Sequence, residues 1–146
     1  YSSAASDVYK RQVKKTYWAV VEGVLKPEQG RLVGHLRKSG KRVRTAKEGD
    51  RGAKEAVLEY RTLALGRRSS LVEIGLITGR KHQIRAQLSQ TGCPVEGDVK
   101  YGAGEFLRDK TIRLVARSLS FRHPIAGLEM TLSVDTSDLE REFSMS

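Results

Sequence analysis

Residues 56–88 read "AVLEYRTLALGRRSSLVEIGLITGRKHQIRAQL", and the change of pattern along this stretch decides the fold. Residues 56–65 and 71–78 are runs of β-branched, aromatic and aliphatic residues, separated by the turn-forming "GRRSS". That pattern is a pair of strands folded as a hairpin. The period then switches to that of a helix. Ile84 and Leu88 stand four apart and bury one side, and Gly92 followed by Pro94 ends the segment.

The start of this helix poses an electrostatic question. Thr78 reads as the cap, yet Arg80 and Lys81 follow at once, with Arg85 one turn on. A helix begins at its positive pole, where Asp or Glu is favoured and Lys or Arg is not. His82 and Arg85 are spaced three apart and share a side distinct from Ile84 and Leu88. The free N–H groups of a helix start attract anions, so the cluster suits a phosphate or a buried carboxylate. The alternative is a solvated basic helix end, which costs only about 0.3–1 kcal/mol per misplaced charge.

Outward from this core, residues 13–25 ("VKKTYWAVVEGVL") read as a strand with Tyr17, Ala19 and Val21 on one face and Trp18 and Val20 on the other. Residues 31–36 read as a short strand and residues 37–51 as a polar loop. Residues 97–104 form a glycine-rich loop. Residues 111–124 and 128–134 form a second hairpin around His123–Gly127, and residues 137–143 form a short helix. About six strands and two helices joined by short loops predict an α+β fold with a mixed, largely antiparallel sheet and few helices. Strands at the border of such a sheet leave apolar edges open.

The 146 residues suffice for one domain or a large piece of one. Lys and Arg number 27 against 17 Asp and Glu, for a formal charge of +10. This balance speaks about partners, and nucleic acid is the leading one. No apolar run approaches the roughly 20 residues that span a bilayer, so no membrane partner is expected. Cys93 stands alone, which excludes an intrachain disulfide and fits a small residue near a turn. The first twelve residues, "YSSAASDVYKRQ", have no strand or helix period and resemble the adaptor-derived ends of translated environmental reads. They are set apart as a non-native leader, with the domain occupying residues 13–146.

Arg37, Lys38, Lys41, Arg42 and Arg44 place five cations within eight residues. Against RNA they would bind phosphates without reading sequence, and each engaged cation would make binding more salt-dependent. A solvated hairpin tip is the other reading. Tyr17 suits a core position or a pocket edge where its ring stacks on a base. His35, His82 and His123 lie too far apart in sequence to suggest a metal set, and none of the common hydrolase, metalloprotease or P-loop motifs occurs.

Four stretches carry a family resemblance: "KKTYWAVVEG" (14–23), "LITGRKHQIRAQL" (76–88), "TGCPVEGDVKYG" (91–102) and "LVARSLSFRHPIAG" (114–127). In this order they resemble the C-terminal part of the catalytic domain of RluA-type RNA pseudouridine synthases, over about residues 13–134. Val115 departs from the histidine that members often carry there. The resemblance implies an isomerase that detaches uracil from its ribose, turns it and rejoins it through carbon 5. It implies no cofactor and no metal, a structured rRNA or tRNA as partner, and a cytoplasmic location.

By the same resemblance, Tyr17 matches the tyrosine that stacks on the target base, and Arg85 the arginine that pairs with the catalytic aspartate. Arg80, Lys81 and His82 would join Arg37, Lys38, Lys41, Arg42 and Arg44 in contacting RNA. The family nucleophile lies in a His-Arg-Leu-Asp-like motif, and no His-Arg pair occurs in these 146 residues. Asp98 matches a family loop instead. Arg85 is therefore expected to face an acid supplied from outside this chain, and the chain alone to be inactive. A non-catalytic basic RNA-binding module is the alternative. A ribosome-associated structural protein explains the charge but not Tyr17 with Arg85.

Overall fold

A computed structural model describes residues 14–122 and 128–145. The leader and the turn at residues 123–127 lie outside the described residues. Strands β1 (Lys14–Glu22), β2 (Gln29–Ser39), β3 (Arg42–Ala46), β4 (Lys54–Leu65) and β5 (Ser69–Leu76) precede helix α1 (Gln83–Gln90). A 3-10 turn (Val99–Tyr101), β6 (Leu114–Arg122), β7 (Glu129–Ser133) and helix α2 (Ser137–Met145) follow. The seven strands form one sheet in the order β3-β2-β4-β5-β1-β6-β7, and every pairing is antiparallel.

The seventh strand is a correction to the expected loop at residues 37–51. Strand β2 runs on to Ser39 and β3 returns beside it. Only Val43 and Leu36 of this hairpin are buried apolar residues, so its cations hide the strand pattern. Those two anchors are enough, because the charged side chains between them point into water.

The alternation in β1 sorts the core as expected. Ala19 and Val21 pack with Leu58, Tyr60, Val72 and Ile74, and Ile84 and Leu88 of α1 close that face, with Tyr17 against its border. On the opposite face Val20 and Leu71 meet Leu139 of α2, with Trp18 and Phe143 alongside. One helix thus covers part of each face. The β7 border stays open, with Leu128, Leu132 and Val134 more than half exposed. Burial of apolar area at about 25 cal/mol per Å² is what holds the two helices on the sheet.

Candidate functional site

Helix α1 begins later than Thr78. His82 occupies its N-cap position with φ 53°, a left-handed conformation uncommon for a residue with a Cβ. Thr78 does a different job. Its hydroxyl accepts from Val57 N–H (2.9 Å) and donates to Gln83 Oε1 (2.8 Å), which also accepts from Arg80 N–H (2.9 Å). Arg80 and Lys81 therefore precede the helix instead of lying in its first turn.

Gln83 Nε2 donates to Val57 O (3.0 Å) and Gln87 Nε2 to Ala56 O (3.1 Å), so the helix is pinned to β4 through buried amides. Burying these amides is tolerable because each finds a strand carbonyl to donate to. The sequence reading passed over these two residues. Their signal is two glutamines four apart on a helix, beside the apolar pair at 84 and 88.

Arg85 has a partner within the chain. Its Nε donates to Asp98 Oδ2 and its Nη2 to Asp98 Oδ1, both at 2.8 Å, in a two-pronged pair. This corrects the expectation that its acid must come from outside. Asp98 is only 1% exposed and Arg85 20%. The Tyr101 ring covers the guanidinium, with Cζ 4.7 Å from the ring centre. The hydrogen bonds that Arg85 donates to Asp98 raise the Arg85 pKa, and this outweighs the opposing effect of burial. Arg85 is a fixed positive charge and no proton donor. The pair uses Nε and Nη2, and Nη1 takes part in neither bond.

Gly97 makes the Asp98 loop possible. Its φ is +88°, and a Cβ there would sit 2.7 Å from Leu107 Cγ and from the Thr111 carbonyl oxygen. Only glycine fits both the conformation and the space.

The same loop reaches the basic hairpin. The Tyr101 hydroxyl lies 2.9 Å from His82 Nδ1 and accepts from Val43 N–H at 3.0 Å. Lys100 Nζ donates to Lys41 O (3.0 Å), and Arg80 Nε to Glu55 O (2.8 Å). Partial burial, then Arg85, Lys81 and Lys100, push the His82 pKa below its ordinary value, against the pull of Asp98.

The structure thus gathers Arg80, Lys81, His82, Arg85 and the β2–β3 hairpin around one loop. It also divides the hairpin's cations. Lys38 is paired with Val43 and shares its face, Lys41 occupies the turn, and Arg42 and Arg44 stand with Arg37 on the other face.

Tyr17 is half-buried and lies on the same face of the sheet as α1. It borders a cavity of about 250 Å³ with Ala116, Leu119 and Leu132. Among the described residues its side chain makes no hydrogen bond and no ring contact, with Arg85 or any other group. A larger cavity of about 540 Å³ opens on the opposite face. Its charges are already matched, Arg31 with Glu59 and Arg61 with Glu73, and it shares no residue with the Arg85 cluster.

Residues 2–90 match the model of a protein family described as RNA pseudouridylate synthase. The chain belongs to this family. Among its relatives are the uncharacterized RNA pseudouridine synthase YhcT of Bacillus subtilis and the ribosomal large subunit pseudouridine synthase C of Rickettsia bellii. YhcT is 36% identical over 121 residues, covering 80% of this chain and 38% of that protein. The Rickettsia protein is 34% identical over 130 residues, covering 86% and 43%.

The solved structure of human RNA pseudouridylate synthase domain containing 4 superposes with a TM-score of 0.71 at 27% identity, over 92% of this chain and 64% of that one. These relatives place the chain in the RluA-type branch of the family, with the expected α+β fold. The chain spans less than half the length of the curated relatives it matches. No helix among the described residues is long and apolar enough to cross a membrane.

Proposed function

We propose that the chain supplies the RNA-binding surface and the arginine of a uridine-to-pseudouridine isomerase acting on structured RNA. Ribosomal RNA is the preferred substrate class, since relatives are named for the large ribosomal subunit; transfer RNA is the alternative. The observation that carries this reading is the geometry of Arg85. Asp98 grips one edge of the guanidinium and Tyr101 covers its plane, so Nη1 is held in one place with its donors uncommitted to that pair. A rigid, permanently charged fork of this kind suits a second carboxylate or a reacting anion.

In the isomerisation, the bond from ribose C1′ to uracil N1 breaks, a bond from C1′ to C5 forms, C5 gives up a proton and N1 gains one. The balance requires no redox partner, and we propose no cofactor or metal. Arg85 would hold a nucleophilic aspartate ionised and aimed. Asp98 is too deeply buried to reach a ribose and serves instead to orient Arg85. Tyr17 would stack on the flipped base, whose unstacking costs a few kcal/mol. Arg80, Lys81, His82 and the hairpin cations would hold the backbone around it. A cytoplasmic setting fits this role.

The 146-residue chain, purified and incubated with uridine-containing rRNA or tRNA transcripts, should bind them and yield no pseudouridine by mass spectrometry. Product formed by the chain alone would overturn the assignment of the nucleophile to another segment. One observation favours a second reading, a non-catalytic basic RNA-binding module: an arginine paired with an acid of its own chain is also what a purely structural ion pair looks like. An intact gene product that binds RNA but forms no pseudouridine would establish that module.

Arg37 and Arg44 stand directly opposite each other across the hairpin, an arrangement that weakens a sheet by about 0.2–1 kcal/mol. Arg44→Gln should therefore leave thermal stability unchanged or slightly raised. If Arg44 meets a phosphate, the slope of log affinity against log salt should fall by about 1. Titrations of an RNA stem-loop at several salt concentrations read this slope, and an unchanged slope removes Arg44 from the interface.

A further inference from the structure

We infer that Tyr101 is a positioning residue that locks the basic hairpin to the Arg85 site, so that RNA meets one rigid cationic surface. This rests on the RNA-binding reading above and extends it to a residue that contacts no RNA itself.

Three groups converge on this side chain. Its ring lies over the Arg85 guanidinium. Its hydroxyl accepts from Val43 N–H in β3 and meets His82 Nδ1 at the start of α1. Its backbone is held in turn, because the Ser89 hydroxyl of α1 donates to the Tyr101 carbonyl.

The hydroxyl takes the Val43 N–H on a lone pair and has one proton of its own to give. Given to His82 Nδ1, that proton leaves the imidazole neutral with its own proton on Nε2, the tautomer this joint is proposed to hold; an Nδ1–H would instead occupy the second lone pair of the hydroxyl. His82 stays in its left-handed conformation at the helix start with its ring edge-on to Tyr101, at 5.7 Å between centres. Strained residues of this kind persist where the surroundings over-determine them.

The hairpin depends on this joint more than its length suggests. Its buried anchors, Leu36 and Val43, pack in one small cluster with Ala56, Ala86 and Tyr101. Val43 N–H belongs to the edge strand β3 and is met by no strand beyond it among the described residues; the Tyr101 oxygen fills that place in a buried hydrogen bond. Without it, a buried N–H loses its partner and the hairpin gains freedom relative to α1. Cations on a loosened hairpin bind the same phosphates but must be ordered on binding.

Tyr101→Phe keeps the ring and removes the hydroxyl. The probe is a short RNA stem-loop with uridines in its loop, titrated at several salt concentrations against the 146-residue chain. The variant should bind at least about fivefold more weakly at every salt concentration, with an unchanged salt slope, since no phosphate contact is lost. Loss of a direct contact would instead flatten the slope, as Lys41→Gln is expected to do. Nitrogen NMR of the His82 ring should show the Nε2–H tautomer in the unsubstituted chain and a mixture in the variant.

The unsubstituted chain offers a test that needs no variant: the Val43 amide should exchange with solvent far more slowly than that of Lys41. Equal exchange, or wild-type affinity in Tyr101→Phe, would overturn the joint. If the unsubstituted chain binds no RNA, the RNA reading itself fails, an outcome distinct from equal binding by both proteins.

Discussion

Asp98→Ala is expected to lower the stability of the fold by about 3 kcal/mol or more, because it strands a largely buried guanidinium without its acid. The substitution also removes both hydrogen bonds that hold Arg85, each at 2.8 Å. Arg85 cannot escape by losing its proton, since guanidinium stays charged across any practical pH. The effect should therefore be similar at pH 5 and pH 8. A second substitution separates the ion pair from simple loss of volume. When both partners of such a pair are replaced by apolar groups, the uncompensated charge disappears and the result is often near neutral. Arg85→Met added to Asp98→Ala should recover most of the loss. Urea unfolding followed by circular dichroism measures all three proteins. A double variant no more stable than Asp98→Ala would mean that the damage comes from the loop packed at Gly97 and not from the charge.

How much of this architecture was legible beforehand depends on the range of the interactions involved. The two faces of β1 follow from alternation alone, so Tyr17, Ala19 and Val21 fall opposite Trp18 and Val20 in the sequence and in the structure. The β4–β5 hairpin and the side of α1 that carries Ile84 and Leu88 were equally readable, since each rests on a local apolar period.

Strand β3 was not, because Arg42 and Arg44 flank its one buried residue, Val43, and local composition says loop. Propensity places the start of α1 at Thr78, yet the Thr78 hydroxyl is engaged by Val57 and Gln83, contacts made only once the helix docks on β4. The Arg85–Asp98 pair is hidden in the sequence for a similar reason. They stand thirteen positions apart with the end of a helix between them. The charge pattern suits an anion, either a phosphate or a buried carboxylate, and the acid that the resemblance implies lies outside the chain. The resemblance named Asp98 only as part of a loop; the geometry makes that loop the support of Arg85. The paired cations Arg37 and Arg44 became visible only through strand register, which a sequence of charges does not contain.

Arg85→Lys, made in the intact gene product, is expected to reduce pseudouridine formation by about a hundredfold or more, while leaving folding and RNA affinity close to those of the parent. Removing a single preorganised donor from an active site commonly lowers the rate by about 10²–10³. Lysine keeps the positive charge that Asp98 needs, so the penalty of an unpaired acid is avoided. It lacks the planar fork, however, and one ammonium cannot both grip the two Asp98 oxygens and present a second edge at a fixed angle. The substitution therefore divides the two readings of this pair. A structural ion pair tolerates lysine, with activity within a fewfold of the parent and only a modest loss of stability. A pair that aims Arg85 at a nucleophilic carboxylate does not, and the loss appears in the rate of the chemical step, with RNA binding unchanged. Single-turnover assays with saturating enzyme isolate that step, and thermal melts with RNA titrations supply the controls. Retention of more than a tenth of the parent rate would remove Arg85 from the chemistry and leave a basic RNA-binding surface as the function of this chain.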